Sequence, residues 1–165
     1  MKQLVARFFS FLALAFVLSF FGAAKANAEG VLDGLVFSGM IGPAQNPDLA
    51  DSLYFDEGRF WSDICTQCGF APGTYDAAET ADGIRFSGTL ESDSRGRFDY
   101  DGLVQDDGTI QVSITWERRR WYWTSRREIA FVGALSTQRK VASLADVIQA
   151  MQSLDPEGNP LCARF

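Results

Sequence analysis

The feature that most constrains the fold is a series of short runs of alternating apolar and polar residues, separated by turns that end in glycine. The tripeptides DEG, ADG and DDG at 56–58, 81–83 and 106–108 place glycine where a tight hairpin requires a positive φ. Hairpins in series give an antiparallel, up-and-down order of strands. The pattern predicts eight strands, at 34–41, 52–56, 59–62, 75–80, 84–92, 96–104, 109–117 and 121–135.

The later runs show which face of the predicted sheet is apolar. Ile110, Val112, Ile114 and Trp116 share one face of the run 109–117, and polar residues occupy the other face. A meander of eight strands with one apolar face must close on itself or pack against another layer, and closure also removes the exposed edges. We therefore predict an all-β fold, an antiparallel up-and-down barrel of about eight strands.

A different periodicity follows the last predicted strand. Leu144, Val147, Ile148, Met151 and Leu154 recur at helical spacing and form one apolar stripe. A serine at position 143, followed three residues later by an aspartate, is typical of a helix start. We predict one C-terminal amphipathic helix that packs on the barrel wall, so that 29–137 form the barrel and 138–165 the helix and tail.

The first 28 residues have the pattern of a secretory signal peptide. Lys2 and Arg7 precede an apolar run at 8–21, and small residues at 26 and 28 frame a cleavage site before Glu29. The run of 14 residues is shorter than the roughly 20 that a bilayer core requires. We expect no membrane span, a mature chain that begins at about Glu29, and a periplasmic or secreted location.

Charge and composition argue against several function classes. From residue 29 onward the chain carries 12 basic and 21 acidic residues, and the acidic excess lies in 29–117, with 4 basic against 17 acidic. An acidic body disfavours binding to nucleic acid, which needs basic residues on one face. The chain has no histidine, the commonest metal ligand and general base. We expect no metal, no cofactor and no enzymatic activity.

Two protein families share patterns with this chain. An eight-stranded meander followed by one helix and a C-terminal cysteine resembles the lipocalin or calycin plan, whose barrels bind small apolar ligands. The spacing Phe-x-Ser-x-x-Cys-x-x-x-Gly-Phe-x-x-x-x-Tyr, followed by Gly-Ile-x-Phe at 83–86 and a Trp-rich hairpin, is similar to small exported bacterial proteins of unknown function. This second resemblance covers about 32–133 and implies a shared fold without an activity. Its motif residues are Phe60, Ser62, Cys65, Gly69, Phe70 and Tyr75.

Three cysteines allow one disulfide and leave one thiol over. Cys65 and Cys68 form a Cys-x-x-Cys, but a thioredoxin-type site needs a βαβ unit that the sequence lacks, and a zinc site needs a fourth ligand. A structural bridge from Cys162 to Cys68 or to Cys65 is the favoured interpretation. The resemblance to the exported proteins implies Cys68 as the partner, because their pattern has its single cysteine at the Cys65 position.

Aromatic residues and one arginine are the candidate ligand-binding side chains. A hairpin across 116–128 would align Trp121 and Trp123 with Ile129 and Phe131 on one strand face, and it would place three arginines in the connection. Either these aromatic residues line a barrel mouth where an arginine receives a carboxylate or phosphate, or they fill the barrel while a bulge turns that arginine outward. The predicted ligand residues are Trp61, Phe86, Tyr100, Trp116, Trp121, Trp123 and Arg127.

Two functions follow from these patterns. The first is a non-enzymatic, exported barrel that binds a small apolar or amphipathic ligand. The alternative is a module with a filled barrel that docks another envelope protein or inhibits an exported enzyme. An internal cavity favours the first, and a solid core with an exposed apolar patch favours the second. The sequence leaves the oligomeric state open.

Overall fold

The computed structural model describes residues 30–164, which form a closed antiparallel barrel of eight strands. Each strand pairs with its neighbours in the sequence, and the last strand pairs with the first. The prediction of an eight-stranded up-and-down barrel is confirmed. The predicted signal peptide, 1–28, lies outside the described residues. The strands are β1 (Val36–Pro43), β2 (Leu49–Asp56), β3 (Arg59–Ser62), β4 (Gly73–Thr80), β5 (Gly83–Ser92), β6 (Gly96–Val104), β7 (Thr109–Arg119) and β8 (Thr124–Leu135).

Side chains fill the inside of the barrel. The apolar face predicted for β7 points inward, and Ile110 and Ile114 are fully buried. The ring of Phe55 lies 5.1 Å from the ring of Phe86, centroid to centroid. A Cβ atom at Gly102 would lie 2.2 Å from the ring of Phe86, so the aromatic packing requires glycine there. An eight-stranded barrel is just wide enough for its interior to be filled in this way.

The chain segment before β1 covers one end of the barrel. This end carries the glycine turns of three hairpins, with φ of 68° at Gly58 and 81° at Gly108. Leu32, a residue of the covering segment, is fully buried. Tyr75 donates a hydrogen bond of 2.8 Å to Asp33, and the same carboxylate accepts a bond of 3.0 Å from the backbone N–H of Gly58. These bonds hold the covering segment to the β2–β3 turn and to β4.

A short helix, α1 (Asp63–Gln67), joins β3 to β4 at the opposite end. Ser62 caps it, because its side chain accepts a hydrogen bond of 3.1 Å from the backbone N–H of Cys65. The sequence pattern does not predict α1, since five residues are too few to show a helical period. Its buried residues Ile64 and Cys65 close part of this end of the interior.

The predicted C-terminal helix is present as α2 (Leu144–Met151), and Ser143 caps it. Leu144 and Val147 pack on the outer wall of the barrel, against Trp61 and Tyr54. A 3-10 helix, Pro160–Arg164, follows. Within residues 30–164, no helix is long and apolar enough to cross a membrane.

Candidate functional site

Several features meet at the end of the barrel that carries α1, which we call the α1 end. The β7–β8 hairpin projects from it, α1 closes part of it, and the C-terminal tail returns to it. Cys68 at the end of α1 is bonded to Cys162 in the tail, which confirms the disulfide that the sequence analysis favoured. The bond closes a separation of 94 residues and fastens the tail beside α1.

Arg95 forms a second attachment of the tail. Its guanidinium donates hydrogen bonds of 2.7 Å to the carbonyl of Cys162 and 3.1 Å to the carbonyl of Pro156, and it pairs with Glu157 at 2.8 Å. The backbone carbonyl of Arg95 accepts a bond of 3.0 Å from the indole N–H of Trp116. The side chain of Arg95 is only 9% exposed, so this cation serves the tail and is shielded from solvent.

An apolar groove remains open at the α1 end, and we call it the mouth groove. Its volume is about 380 Å³. Buried side chains of Ile41 and Ile129 form the floor, and Leu49 adds to it. Arg127 lines the rim, with its guanidinium carbon 5.2 Å from the centroid of the Trp116 ring. The complete lining that the structure describes is Ile41, Gly42, Pro43, Leu49, Arg127, Glu128 and Ile129.

Register explains why an arginine lies over the mouth. Arg127 pairs with Trp116, and Ile129 pairs with Ile114, without a bulge between them. Arg127 therefore continues the inward-facing row of β8 past the last buried residue. Stacking on an indole face is a favourable position for guanidinium. The bulge that one of the two alternatives required, to turn Arg127 outward, is absent from the β7–β8 pairing.

The connection of the β7–β8 hairpin is the most exposed aromatic segment that the structure describes. We call Trp121, Tyr122 and Trp123 the aromatic tip. Their exposed fractions are 94%, 71% and 53%. The prediction that Trp121 and Trp123 align with Ile129 and Phe131 on one strand face is wrong, because β8 begins only at Thr124.

The arginines next to the tip also differ from the prediction. Arg118 and Arg119 belong to β7 and pair with Ser125 and Thr124. Only Arg120 lies in the connection, where its backbone N–H donates to the carbonyl of Trp123. The hairpin therefore extends farther from the barrel than the sequence analysis expected.

A polar cluster is buried at the base of α1. Asp51 accepts hydrogen bonds of 2.6 Å from the hydroxyl of Ser62 and 3.1 Å from the backbone N–H of Ile64. The thiol of Cys65 lies 3.3 Å from the hydroxyl of Tyr100. Burial raises the pKa of Cys65 to about 12, which keeps the thiol protonated. The cluster therefore anchors α1 and offers no reactive thiolate.

Two of the predicted ligand residues meet beside the mouth groove: the exposed Arg127 lies over the ring of Trp116, which is itself buried. Phe86 and Tyr100 lie deep in the packed interior. Trp61 faces outward from the wall, stacked on Tyr54 at 5.6 Å and covered by α2. The two tryptophans of the aromatic tip project into solvent.

No sequence pattern predicts Ile41, Leu49 and Ile129 as groove residues or Arg95 as the tail anchor. Ile41 and Ile129 belong to β1 and β8, which meet only where the barrel closes. The alternation of apolar and polar residues along each strand indicates that these two side chains point inward. It does not indicate that they lie at the open end of the barrel. Arg95 is followed by glycine in the β5–β6 turn, where an arginine usually indicates a solvated loop.

Comparison of the chain with protein-family models, with curated proteins and with solved structures finds no match in any of the three.

Proposed function

We propose that this protein is an exported barrel that binds an amphipathic anion in the mouth groove, without a catalytic step. The observation that carries the proposal is the position of Arg127 on the ring of Trp116, above an apolar floor of Ile41 and Ile129. An apolar floor favours a hydrocarbon or aromatic part, and the guanidinium favours a carboxylate or phosphate in bidentate geometry.

The packed interior decides how such a ligand would bind. Ring contacts such as Phe55–Phe86 and Phe60–Tyr100 occupy the space that a deep ligand would need. The ligand would therefore lie across the mouth, in a groove of about 380 Å³, which is at the small end of the usual range of ligand sites.

Export is part of the proposal, and the disulfide supports it. Bonds such as Cys68–Cys162 persist in oxidising compartments and are rare in a reducing cytosol. The signal-peptide pattern at 1–28 points to the same compartment. An exported barrel of this kind also agrees with the two family resemblances.

The test is a titration of tryptophan fluorescence with three amphiphiles of equal tail length: undecanoate, decyl phosphate and decyltrimethylammonium. All three are used below their micelle concentrations. We expect saturable binding of the two anions and weak binding of the cation. A hydrogen bond to a charged group contributes about 1.5 to 3 kcal/mol, so Arg127→Gln should weaken anion binding about ten-fold or more.

The matched control is Arg85→Gln, on the outer wall in an exposed pair with Asp101. It removes an equal charge at a residue outside the groove lining, and we expect it to leave the affinity almost unchanged. Equal losses in the two variants, or equal affinity for anion and cation, would refute a site at Arg127. Absence of saturable binding to any probe would favour the alternative, a docking module whose filled core holds no ligand.

A further inference from the structure

The aromatic tip is an apolar surface that the mouth groove does not use. Its three rings contact one another: the centroids of Trp121 and Tyr122 lie 5.0 Å apart, and those of Tyr122 and Trp123 lie 6.2 Å apart. Exposed clusters of large aromatic residues on proteins mark interaction sites. The tip therefore requires an explanation beyond hairpin geometry, which would accept small polar residues in the same turn.

The tip stands clear of the barrel. Trp116 is the last buried residue of β7, yet the strand continues to Arg119 and stays paired with β8 throughout. Three further residues at about 3.3 Å each carry the tip roughly 10 Å beyond the packed core. The paired extension presents the aromatic rings at the end of a supported arm.

Four arginines flank the aromatic tip on the two strands of the arm and in their connection. Arg118, Arg119 and Arg120 precede it, and Arg126 follows it on the other strand. Among the side chains that the structure describes, no carboxylate lies within ion-pair distance of Arg118, Arg119 or Arg120. Partial burial, followed by the charges of Arg120 and Arg95, lowers the pKa of Arg118, and the charge of Glu157 opposes this without cancelling it.

The carboxylates of the arm do not neutralise this surface. Glu128 pairs with Arg126 at 3.2 Å, and Glu117 is the other acidic residue on the two extended strands. At the same end of the barrel, Glu157 pairs with Arg95. Positive charge therefore dominates around the tip, although the chain as a whole is acidic.

We propose that the aromatic tip and its arginines dock this protein onto the surface of an anionic lipid bilayer. The rings of Trp121, Tyr122 and Trp123 would enter the interfacial region, where Trp and Tyr are enriched in membrane proteins. The guanidinium groups of Arg119 and Arg120 would lie at the depth of the lipid phosphates and pair with them.

The shape of the tip favours a bilayer over a protein partner. A convex point with three amphipathic rings fits a soft, laterally mobile interface, whereas a protein would have to offer a matching cleft. The arm separates the tip from the acidic barrel by about the distance over which physiological salt screens charge, roughly 8 Å. The barrel's repulsion from an anionic surface is therefore weakened at the tip, while the arginines act at contact.

The experiment measures sedimentation of the full chain, in its exported form, with vesicles. One set contains about one-third phosphatidylglycerol in phosphatidylcholine, and the other contains phosphatidylcholine alone. We expect binding only to the anionic vesicles, a blue shift of tryptophan emission, and loss of binding at high salt. An arginine near such a surface contributes about 1 kcal/mol, so Arg119→Ser should weaken partitioning about five-fold.

Two further variants separate the tip from general effects. Trp121→Ser combined with Trp123→Ser should reduce partitioning about ten-fold, since the apolar surface buried at the interface is lost. Arg85→Ser, on the outer wall in an exposed pair with Asp101, removes the same charge elsewhere and should leave partitioning unchanged. Circular dichroism confirms that each variant is folded, which we expect because the replaced side chains are exposed.

Several outcomes would overturn the proposal. The proposal fails if the native chain does not bind the anionic vesicles at low salt. It also fails if the double variant Trp121→Ser, Trp123→Ser binds them as well as the native chain does. A dimer that the tip substitutions abolish would show instead that a second copy covers the tip. A photo-crosslinker at position 122 that labels protein and no lipid, in membranes from the cell envelope, would assign the tip to a protein partner. None of these variants changes Arg127, so the test is separate from that of the mouth groove.

Discussion

Replacement of Asp51 by asparagine tests the energetics of the buried cluster under α1. Asp51 is 6% exposed, and its carboxylate accepts hydrogen bonds from Ser62 and Ile64. Burial raises the pKa of Asp51 from 3.8 to about 6, and these two hydrogen bonds oppose the rise without cancelling it. The folded protein therefore holds the Asp51 proton more tightly than the unfolded chain does.

The direction of the pH effect follows from that difference. The stability contributed by the proton is fully present below about pH 4 and is lost as the pH rises to about 6 and beyond. The two pKa values, 3.8 and about 6, correspond to about 3 kcal/mol of unfolding free energy. Asparagine has no titratable proton, yet its amide can accept from Ile64 and donate to Ser62.

Urea unfolding at pH 4 and pH 7 measures the effect. At each pH, the unfolding free energy of Asp51→Asn is subtracted from that of the native chain. We expect this difference to be about 2 to 3 kcal/mol larger at pH 4 than at pH 7. Asp101→Asn, on the exposed outer wall, is the control for loss of one carboxylate. A difference between the native chain and Asp51→Asn that is the same at both pH values would refute the reasoning.

Three further predictions concern packing and the tail. Loss of the Cys68–Cys162 bond in the double alanine variant should lower the unfolding free energy by about 4 to 5 kcal/mol in urea, and an unchanged midpoint would contradict this. Gly102→Ala should cost about 1 to 3 kcal/mol in thermal unfolding, because the new methyl meets the ring of Phe86; a neutral effect would mean that the ring moves freely. Arg95→Met should speed amide hydrogen exchange in the tail far more than in the strands, and uniform exchange would show that the tail does not depend on it.

The fold could be predicted because its information is local. Glycine turns and alternation within single strands specify hairpins, and a run of hairpins with one apolar face leaves closure as the simplest solution. β3 and β6 begin and end where the sequence predicts. β8 does not, because aromatic residues favour strands without determining burial, and Trp121 and Trp123 lie past the point where an opposing wall exists.

The candidate site was harder to predict because it depends on closure. Ile41 and Ile129 come from strands at opposite ends of the domain, and no local pattern specifies how far those strands slide past each other. Phe60 and Trp61 show a related limit. Both are apolar and adjacent in a strand of four residues, too short for alternation to decide which one faces inward. The structure places Phe60 inside and Trp61 outside.

Burial of Cys65 has a consequence for the order of events during maturation. Cys162 follows all eight strands in the sequence, so it meets the two earlier thiols only after the barrel can form. By then Cys65 is enclosed beside Tyr100, and Cys68 is the partner within reach. The barrel thus acts as a template that selects one thiol pair. We expect oxidation of the urea-unfolded chain to give mixed pairings, and refolding before oxidation to give Cys68–Cys162 alone, as peptide mapping would show.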